Sequence, residues 1–345
     1  MRALTFEAPG QVALRDVPDP QLQGPDDALV AVGAAGVCGS DLHIYHGRVW
    51  VDPGFVIGHE LVGTVLAVGE SVRSVAVGER VVACFHSACG RCFYCLQGEY
   101  QRCAHGRTFG HGSALGNLPG AQAERVLVPY ADMTLRRVPE GMADEVALFA
   151  GDVMGTAYHA VAEGRLQPGE SVAVLGLGPV GLCAVQVARA AGASRIFAVD
   201  SVAARLQMAE RFGAQPLDLS EGEGVKERVR EATGARGVDV VIEAVGSASA
   251  LELALYLARP GGRLAVIGVH AERAEAHLGL AWIKGLSVRM GLANVIAHCE
   301  RVLALMAAGV LDPAPLVTHR MALAEGPAAY ELFDRREALK VILKP

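Results

Sequence analysis

One stretch of the sequence constrains the fold of this chain more than any other. Residues 172–181 read V-A-V-L-G-L-G-P-V-G, so an apolar run ends in the pattern G-x-G-x-x-G and continues into further apolar residues. A buried strand, a glycine turn and an apolar helix in this order form the first half of a βαβ unit. Such units assemble into a parallel sheet whose two faces are both covered by helices.

The neighbouring residues repeat this alternation of short apolar runs and helical segments. The pattern predicts strands at 171–175, 196–199, 238–244 and 264–267, and helices at 180–191, 201–212, 225–233 and 248–257. Strands that alternate with helices of this length are typical of a doubly wound α/β domain. We therefore predict one such domain over residues 154–290.

The rest of the chain has a different pattern. Residues 1–153 carry short alternating runs broken by glycine and proline, which predict strands at 28–32, 61–68, 80–84 and 123–128 and no amphipathic helix. Residues 291–345 predict helices at 295–308 and near 326–333, and a strand at 340–343. These last elements are too few for a domain, so we expect them to return to a β-rich domain formed by residues 1–153.

The glycine motif indicates a dinucleotide site. Gly176 permits a tight turn, Gly178 lets the backbone approach a pyrophosphate, and Gly181 lets helix and strand pack closely. The helix that begins at Pro179 and Val180 supplies free N–H groups and a positive dipole end for the phosphates.

An acidic residue after the next predicted strand favours NAD over NADP. Asp200 lies 19 residues after Gly181, where a carboxylate can accept hydrogen bonds from both ribose hydroxyls and would repel a 2′-phosphate. Arg205 lies about one helical turn further on. It either reaches the same ribose or is an ordinary solvated helix residue.

Four cysteines are close together in the first domain. Cys89, Cys92, Cys95 and Cys103 lie within 15 residues. One loop with this spacing can surround a tetrahedral zinc ion, and four thiolates leave no open position for chemistry. An iron–sulfur cluster also accepts four cysteines, and paired disulfides are an alternative in an oxidising compartment. Because residues 1–15 lack the pattern of a secretory signal, we favour a structural zinc site over disulfides.

Two short polar clusters flanked by glycine stand out nearby. The first, C-G-S-D-L-H, spans residues 38–43, and the second, G-H-E, spans residues 58–60. Taken singly, each residue has an ordinary structural explanation: Cys38 as a small core residue, Asp41 as a helix cap, and His59 as a loop histidine.

Together with the other motifs, these clusters resemble the zinc-dependent medium-chain alcohol dehydrogenase family. The supporting pieces are V-C-G-S-D-L-H at 37–43, G-H-E at 58–60, the four-cysteine loop, G-L-G-P-V-G at 176–181 and Asp200. They occur in the family's order and span nearly the whole chain. The resemblance implies a GroES-like β-rich catalytic domain and a Rossmann coenzyme domain inserted before its last segment.

The resemblance also implies a catalytic zinc ion with an open position. Its ligands would be Cys38, His59 and, just before the coenzyme domain, Asp152. Many members have Cys or Glu at this third position, and Asp points toward the branch of bacterial alcohol dehydrogenases and glutathione-independent formaldehyde dehydrogenases. Asp152 could otherwise cap the following helix. By the same resemblance, Glu60 ligates zinc transiently and Asp41 hydrogen-bonds the second nitrogen of His59.

Further roles follow from the resemblance alone. Ser40 and His43 match the family's proton relay, which runs from the hydroxyl through the nicotinamide ribose to the imidazole. The expected coenzyme contacts are Val245, Ile267, Gly268, Val269 and, for the pyrophosphate, Lys340. The substrate pocket is expected at Trp50, Phe85 and residues 108–117, with core packing as an alternative for Phe85. We expect His86, His105, His111 and His319 to be structural.

These features predict an enzyme that transfers hydride between an alcohol and NAD, with two zinc ions per subunit. Formaldehyde oxidation and the oxidation of polyols or threonine are alternatives within the family, and a non-catalytic NAD-binding protein is an alternative outside it. The net charge of −6 argues against nucleic acid as a partner. We also expect no membrane span, a cytoplasmic location and a homo-oligomer, with a tetramer favoured over a dimer.

Overall fold

The computed structural model describes residues 1–221 and 224–345. The chain divides into two compact units. Unit 1 consists of Met1–Gly155 and Asn294–Pro345, and unit 2 consists of Thr156–Ala293. No helix among the described residues is long and apolar enough to cross a membrane.

The strands and helices of the described residues are numbered in chain order. The strands are β1 Arg2–Ala8, β2 Gln11–Asp16, β3 Ala28–Val37, β4 Phe55–Val56, β5 Glu60–Val68, β6 Arg80–Ala83, β7 Arg125–Val128, β8 Leu135–Arg137, β9 Ser171–Leu175, β10 Arg195–Asp200, β11 Gln215–Asp218, β12 Val238–Glu243, β13 Ala258–Val266, β14 Ser287–Met290, β15 Val317–Ala322 and β16 Lys340–Lys344. The α-helices are α1 Asp41–Tyr45, α2 Phe93–Leu96, α3 Ala131–Thr134, α4 Asp144–Ala147, α5 Val153–Glu163, α6 Pro179–Ala190, α7 Ala203–Arg211, α8 Gly224–Ala232, α9 Ala248–Leu257, α10 Leu278–Ile283, α11 Val295–Ala307 and α12 Gly326–Asp334.

Unit 1 is a β-rich fold built on a seven-stranded sheet. Its strand order is β15-β16-β3-β5-β6-β8, and β7 also pairs with β3. All pairs are antiparallel except β15 with β16. A second sheet has the order β2-β1-β4. Because β16 pairs with β3, the C-terminal segment completes the sheet that the N-terminal residues begin, and one apolar core joins both parts.

Unit 2 is a parallel sheet with the strand order β11-β10-β9-β12-β13-β14. Every pair in it is parallel. The side chains of β9 after Ser171 are all buried, as expected for a strand covered on both faces. The order reverses beside β9, and the carboxyl ends of strands at such a reversal are where ligands bind in open α/β sheets.

Most predicted elements are confirmed to within a few residues. Strand β9 and helix α9 have the predicted bounds, and β13 begins earlier, at Ala258. The pattern missed the helix α10, the short helices of unit 1 and the strands β1, β2, β4, β8, β11, β14 and β15. Helix α1 has five residues, which is too short to show a helical period in the sequence.

Candidate active site

The residues of the two polar clusters in unit 1 meet because neighbouring strands end and begin there. Strand β3 ends at Val37, so Cys38 follows it directly, and β5 begins at Glu60, directly after His59. The two strands are antiparallel, with Gly36 opposite Glu60. This register brings Cys38 and His59 to the same end of the sheet.

A tight turn delivers Asp152 to the same place. The 3-10 turn Leu148–Gly151 packs against the end of β6, where a Cβ atom on Gly151 would lie 2.1 Å from the carbonyl oxygen of Ala83. The amide of Phe85 also donates a hydrogen bond of 2.9 Å to the Gly151 carbonyl oxygen. Only glycine allows this approach, so Gly151 fixes the position of the residue that follows it.

The donor atoms of these residues form a buried cluster. Cys38 Sγ lies 3.4 Å and His59 Nε2 lies 3.0 Å from Asp152 Oδ2. Together with a carboxylate oxygen of Glu60, these atoms all lie within 4.8 Å of one another, and all four residues are buried. One sulfur, one imidazole nitrogen and one carboxylate oxygen are a normal ligand set for zinc. The residues therefore fit a zinc ion with three protein ligands.

Asp41 orients the imidazole of His59. Its Oδ1 lies 3.0 Å from His59 Nδ1, and its Oδ2 accepts a hydrogen bond of 2.9 Å from the amide of Cys38. Burial opposes the charge of Asp41, but the neighbouring His59 and the Cys38 amide lower the pKa of its carboxyl below the ordinary value. A carboxylate at Nδ1 leaves Nε2 directed at the metal position.

The protonation of the cluster follows from its charges. Burial opposes a charge on His59, yet the carboxylates of Asp41 and Asp152 raise its pKa well above the ordinary value. Burial and the nearby Asp152 and Glu60 raise the pKa of the Cys38 thiol. In the metal-free protein at neutral pH, a proton on His59 Nε2 therefore points at Asp152, and Cys38 is a thiol.

A zinc ion that binds here must displace the proton on His59 Nε2 and the proton of the Cys38 thiol. We expect zinc binding at this site to release about two protons near neutral pH, so that affinity rises about a hundredfold per pH unit. Calorimetric titration in buffers of different ionisation enthalpy measures the released protons, with the four-cysteine site filled beforehand. The variant His59→Gln should release about one proton fewer. Equal proton release by wild type and variant would contradict the assigned protonation.

Lys340 lies in the last strand, as predicted, but its side chain is paired within unit 1. Its side chain is fully buried, and its Nζ pairs with the Glu60 carboxylate and lies 3.2 Å from the Val37 carbonyl oxygen. Burial opposes its charge, but Glu60 raises the pKa of Lys340 above the ordinary value. An ammonium group enclosed in this way has no exposed surface for a pyrophosphate. The pairing of β16 with β3 directs this side chain inward, and the contact with a pyrophosphate stays a prediction.

The predicted relay residues share one helical turn. Ser40 Oγ lies 3.2 Å from His59 Nε2, at the N-terminus of α1. His43 lies three residues on and is half-buried, and its Nδ1 has no hydrogen-bond partner among the described residues. Burial, together with the positive charges of Arg48 and His46, lowers the pKa of His43. The ring is therefore neutral at pH 7 and able to take up a proton.

The two predicted pocket residues differ in their surroundings. Phe85 is buried, and its ring centroid lies 6.2 Å from that of His59 in an edge-on arrangement. Trp50 is exposed, and its Nε1 donates a hydrogen bond of 3.4 Å to Asp52. Phe85 is thus a wall of the metal cluster, whereas the side chain of Trp50 faces solvent in the structure described.

His111 lies against the cluster, within the predicted pocket segment 108–117, although the sequence indicated only a structural role for this histidine. Its ring centroid is 5.1 Å from that of His59, and its Nδ1 donates a hydrogen bond of 2.8 Å to the Phe109 carbonyl oxygen. Burial and the neighbouring His59 lower the pKa of His111. The one available signal was the triplet G-H-G at 110–112, which repeats the glycine–histidine pattern of residues 58–59.

The four-cysteine loop forms a second cluster in unit 1. The Sγ distances are 3.5 Å for Cys92–Cys95, 3.8 Å for Cys92–Cys103 and 3.5 Å for Cys103–Cys89. A tetrahedral zinc ion with Zn–S bonds of about 2.3 Å places its sulfurs about 3.8 Å apart. All four cysteines are free, so the disulfide alternative does not hold. The spacing also fits a single ion better than a cluster, in which the cysteines bind separate iron atoms.

One thiol of this loop is prepared for metal binding. Hydrogen bonds from the amides of Cys95 and Ala104 lower the pKa of Cys92 to about 6. Burial, together with the hydrogen bonds that the Cys95 thiol shares with Cys92 and Cys103, raises the pKa of Cys95 to about 12. At neutral pH the metal-free loop therefore holds a thiolate at Cys92, and a metal ion would have to displace the proton from Cys95.

The glycine motif of unit 2 has the geometry of a phosphate-binding turn. Gly176 has φ +84°, which favours glycine, and a Cβ atom on Gly181 would lie 1.8 Å from the Gly176 carbonyl oxygen. A Cβ atom on Gly178 would meet nothing within 4 Å, so this position faces open space. Gly178 is also the N-cap of α6, which has Pro179 in its first turn and twelve residues. Free N–H groups at this helix end fit a pyrophosphate.

Asp200 holds the glycine turn in place. Its Oδ2 accepts a hydrogen bond of 2.6 Å from the Leu177 amide, and its Oδ1 accepts bonds of 2.8 and 2.9 Å from the amides of Ser201 and Val202. A carboxylate has about four acceptor sites, so one remains for a ligand. The contact of Asp200 with the ribose hydroxyls stays a prediction. Arg205 Nη1 lies 3.8 Å from Asp200 Oδ2.

The other predicted coenzyme residues lie at the carboxyl ends of β12 and β13. The amides of Ile267 and Gly268 donate to the Glu243 carbonyl oxygen at 2.9 and 3.0 Å, and the Val245 amide donates to the Glu243 carboxylate at 2.7 Å. These amides are occupied, whereas the side chains of Val245 and Val269 are exposed. A coenzyme contact here would use these apolar side chains or the backbone carbonyl oxygens.

Comparison with known proteins agrees with both units. A family model described as "Alcohol dehydrogenase GroES-like domain" matches residues 24–140, and one described as "Zinc-binding dehydrogenase" matches residues 179–308. The Aspergillus flavus protein named zinc-type alcohol dehydrogenase B is 36% identical over 351 residues, which cover 100% of this chain and 81% of that protein.

Solved structures show the same similarity. Alcohol dehydrogenase TADH from Thermus sp. ATN1 is 49% identical, with a TM-score of 0.95 over 100% of this chain and 99% of that chain. A Sinorhizobium meliloti protein solved with NADP bound is 31% identical, with a TM-score of 0.86 over 100% and 99% of the two chains.

A GroES-like unit with a zinc-type ligand cluster and a Rossmann unit with a dinucleotide turn define the class of zinc-binding dehydrogenases. The chain belongs to the zinc-dependent medium-chain alcohol dehydrogenase family. The members of this family are oxidoreductases, and both the predicted family and the predicted fold class are confirmed.

Proposed function

We propose that the protein oxidises an alcohol to an aldehyde or ketone with NAD as hydride acceptor. The observation that carries this proposal is the buried cluster of Cys38, His59 and Asp152, whose donor atoms suit a zinc ion with an open position. The dinucleotide turn of unit 2 supplies the second requirement, a place for the nicotinamide coenzyme. Such coenzymes carry the hydride chemistry themselves.

Ser40 and His43 are placed to transfer the proton that the alcohol loses. Zinc, when bound, would act as a Lewis acid toward the alcohol oxygen. Ser40 Oγ, 3.2 Å from the ligand atom His59 Nε2, is placed to accept the proton of the alcohol as it gives up its own hydroxyl proton. His43 follows on the same helical turn with a neutral ring, and it can hold the proton before release to solvent. Phe85 keeps this side of the cluster dry.

The identity of the alcohol is open to a direct test. A panel of primary, secondary and cyclic alcohols, polyols, threonine and formaldehyde should be incubated with zinc-loaded protein and NAD, and NADH absorbance should be followed. We expect turnover with at least one alcohol. Absence of turnover with every member of the panel, with NAD and with NADP, would contradict the proposed function.

We propose NAD, rather than NADP, as the coenzyme because the Asp200 carboxylate would repel a 2′-phosphate. In the variant Asp200→Gly, we expect the ratio of kcat/KM for NAD to that for NADP to fall about tenfold or more, since one lost charge repulsion corresponds to about 1.4 kcal/mol or more. Steady-state kinetics with both coenzymes measure this ratio. Asp200→Asn is the matched control that removes the charge and keeps an acceptor for the Leu177 amide. An unchanged ratio in both variants would show that another residue selects the coenzyme.

We propose two zinc ions per subunit, one at each cluster of unit 1. The four-cysteine site is closed and therefore structural, since four thiolates complete the coordination of zinc. Its ion would hold the loop around α2 without taking part in the reaction. A cytoplasmic location stays a prediction from the sequence.

We propose that the protein is a homo-oligomer formed through unit 2, with a tetramer favoured. Strand β14 is the edge of the parallel sheet, and all four of its residues are exposed. Helix α10, just before it, exposes Leu278, Trp282 and Ile283, with Trp282 83% exposed. An apolar edge of this kind suits pairing with a second copy of the chain.

An interface variant tests this proposal. We expect Val288→Lys combined with Trp282→Glu to reduce the mass measured by light scattering to one half or less, because charges on an edge strand oppose pairing. Val77→Lys, at an exposed apolar position of unit 1, is the control and should leave the mass unchanged. A wild-type mass equal to one chain would contradict the proposal.

A further inference from the structure

We infer that His111 determines the substrate preference: its Nε2 accepts a hydrogen bond from a hydroxyl group on the carbon next to the one that is oxidised. Vicinal diols are then favoured over the matching monoalcohols. The inference rests on the proposed function, because it requires alcohol oxidation at the cluster of Cys38, His59 and Asp152.

The backbone around His111 holds the ring firmly beside the cluster. Gly110 has φ +69°, and a Cβ atom on it would lie 2.6 Å from the Gly58 carbonyl oxygen. A Cβ atom on Gly112 would lie 2.8 Å from a methyl carbon of Val51. The triplet 110–112 is thus pressed against the backbone that precedes His59 on one side and against Val51 on the other. Side chains at either glycine would push His111 out of place.

The hydrogen bonds of the ring define its free atom. Nδ1 lies 2.8 Å from the Phe109 carbonyl oxygen, which can only accept, so Nδ1 carries the hydrogen. In the neutral ring, Nε2 then presents a lone pair. No residue in the described parts of the chain donates a hydrogen bond to Nε2, although the side chain is only 9% exposed. The ring is therefore a positioned acceptor that lacks a donor.

An acceptor of this kind discriminates between substrates. The centroids of His111 and His59 are 5.1 Å apart, so an alcohol bound at the ligand cluster lies next to the His111 ring. A monoalcohol that displaces water leaves Nε2 without a donor, which costs free energy at a buried position. A diol supplies the missing O–H group from the adjacent carbon. Sites built to hydrogen-bond a substrate hydroxyl reject analogues that lack it.

The test compares propane-1,2-diol with 1-propanol in wild type and two variants. His111→Phe keeps a ring and removes the acceptor, whereas His111→Gln keeps an acceptor near the position of Nε2. His105→Phe, at an exposed histidine of the same loop region, is the control. The first readout is the diol-to-monoalcohol ratio of kcat/KM with NAD. The second is the ratio of their affinities by calorimetry in the presence of NADH, where no oxidation takes place.

We expect wild type to favour the diol in both ratios and His111→Phe to lower each ratio about tenfold, as the loss of one hydrogen bond to a buried acceptor implies. His111→Gln should retain most of the preference, and the control should not change it. If His111→Phe changes kcat/KM and affinity equally for both substrates, or changes neither, the inference is overturned. Turnover of 1-propanol in the same experiment would still support the proposed function. A wild type that oxidises neither compound but oxidises another alcohol of the panel would overturn the inference alone, and absence of turnover with the whole panel would overturn both.

Discussion

Replacing Cys38 or His59 by alanine is expected to lower the rate of NAD reduction about a thousandfold or more. Cys38 and His59 are two of the three expected zinc ligands, and both are buried. Cys38 Sγ and His59 Nε2 each lie within hydrogen-bond distance of Asp152 Oδ2. Loss of the metal removes several kcal/mol of stabilisation from the developing alkoxide charge, and 1.36 kcal/mol corresponds to a factor of ten. The measurement is the initial rate of NADH formation with a substrate from the panel.

Coenzyme binding should survive these substitutions. The glycine turn, Asp200 and helix α6 all belong to unit 2, and neither Cys38 nor His59 contributes to that unit. Quenching of protein fluorescence on NADH binding measures this, and a Kd within about threefold of wild type is expected, a difference well below the 1.4 kcal/mol that corresponds to tenfold. His105→Ala is the control for loss of an exposed histidine. Retained turnover in Cys38→Ala or His59→Ala would contradict the assignment of these residues as ligands of a catalytic zinc ion.

The second large effect is expected from Lys340→Met. The ammonium of Lys340 is the buried partner of Glu60, and both side chains have no exposed surface. Removal of one partner from a buried ion pair typically costs about 3–5 kcal/mol, because the other charge is left uncompensated. We therefore expect the free energy of unfolding to fall by about that amount in urea denaturation, together with loss of zinc from the catalytic site.

Two further variants distinguish the contribution of the Lys340–Glu60 ion pair from the effect of replacing any lysine of this strand by methionine. Lys344→Met lies on the same strand at an exposed position and should change the free energy of unfolding by less than about 0.5 kcal/mol. The double variant Lys340→Met with Glu60→Gln removes both charges and should regain most of the lost stability. If Lys340→Met is as stable as Lys344→Met, the buried pair does not stabilise unit 1.

The parts of this structure that were predictable from sequence are those that depend on neighbours in the chain. The glycine turn was predictable because strand, turn and helix are consecutive and each glycine has a local reason, such as the contact of Gly181 with the Gly176 carbonyl oxygen. The four cysteines were predictable as a metal loop because they lie within 15 residues of one another.

Contacts between distant residues were less accessible. Asp152 lies 93 residues from His59 in the chain, and only the family resemblance placed it near the expected metal. Lys340 and Glu60 are 280 residues apart, and their pairing depends on the register of β16 with β3. His111 has an ordinary sequence environment, and its role depends on the backbone packing of Gly110 against Gly58. Sequence periodicity and residue spacing do not predict contacts between residues that are this far apart in the chain.

We expect a zinc ion held by Cys38, His59 and Asp152 to be required for alcohol oxidation. The most direct measurement is NADH formation by the protein before zinc removal with a chelator, after removal, and after zinc or magnesium is added back. We expect activity to disappear with the metal, to return with zinc and not to return with magnesium, since the ligand set contains a thiolate and an imidazole. Full turnover by the zinc-free protein would contradict this expectation.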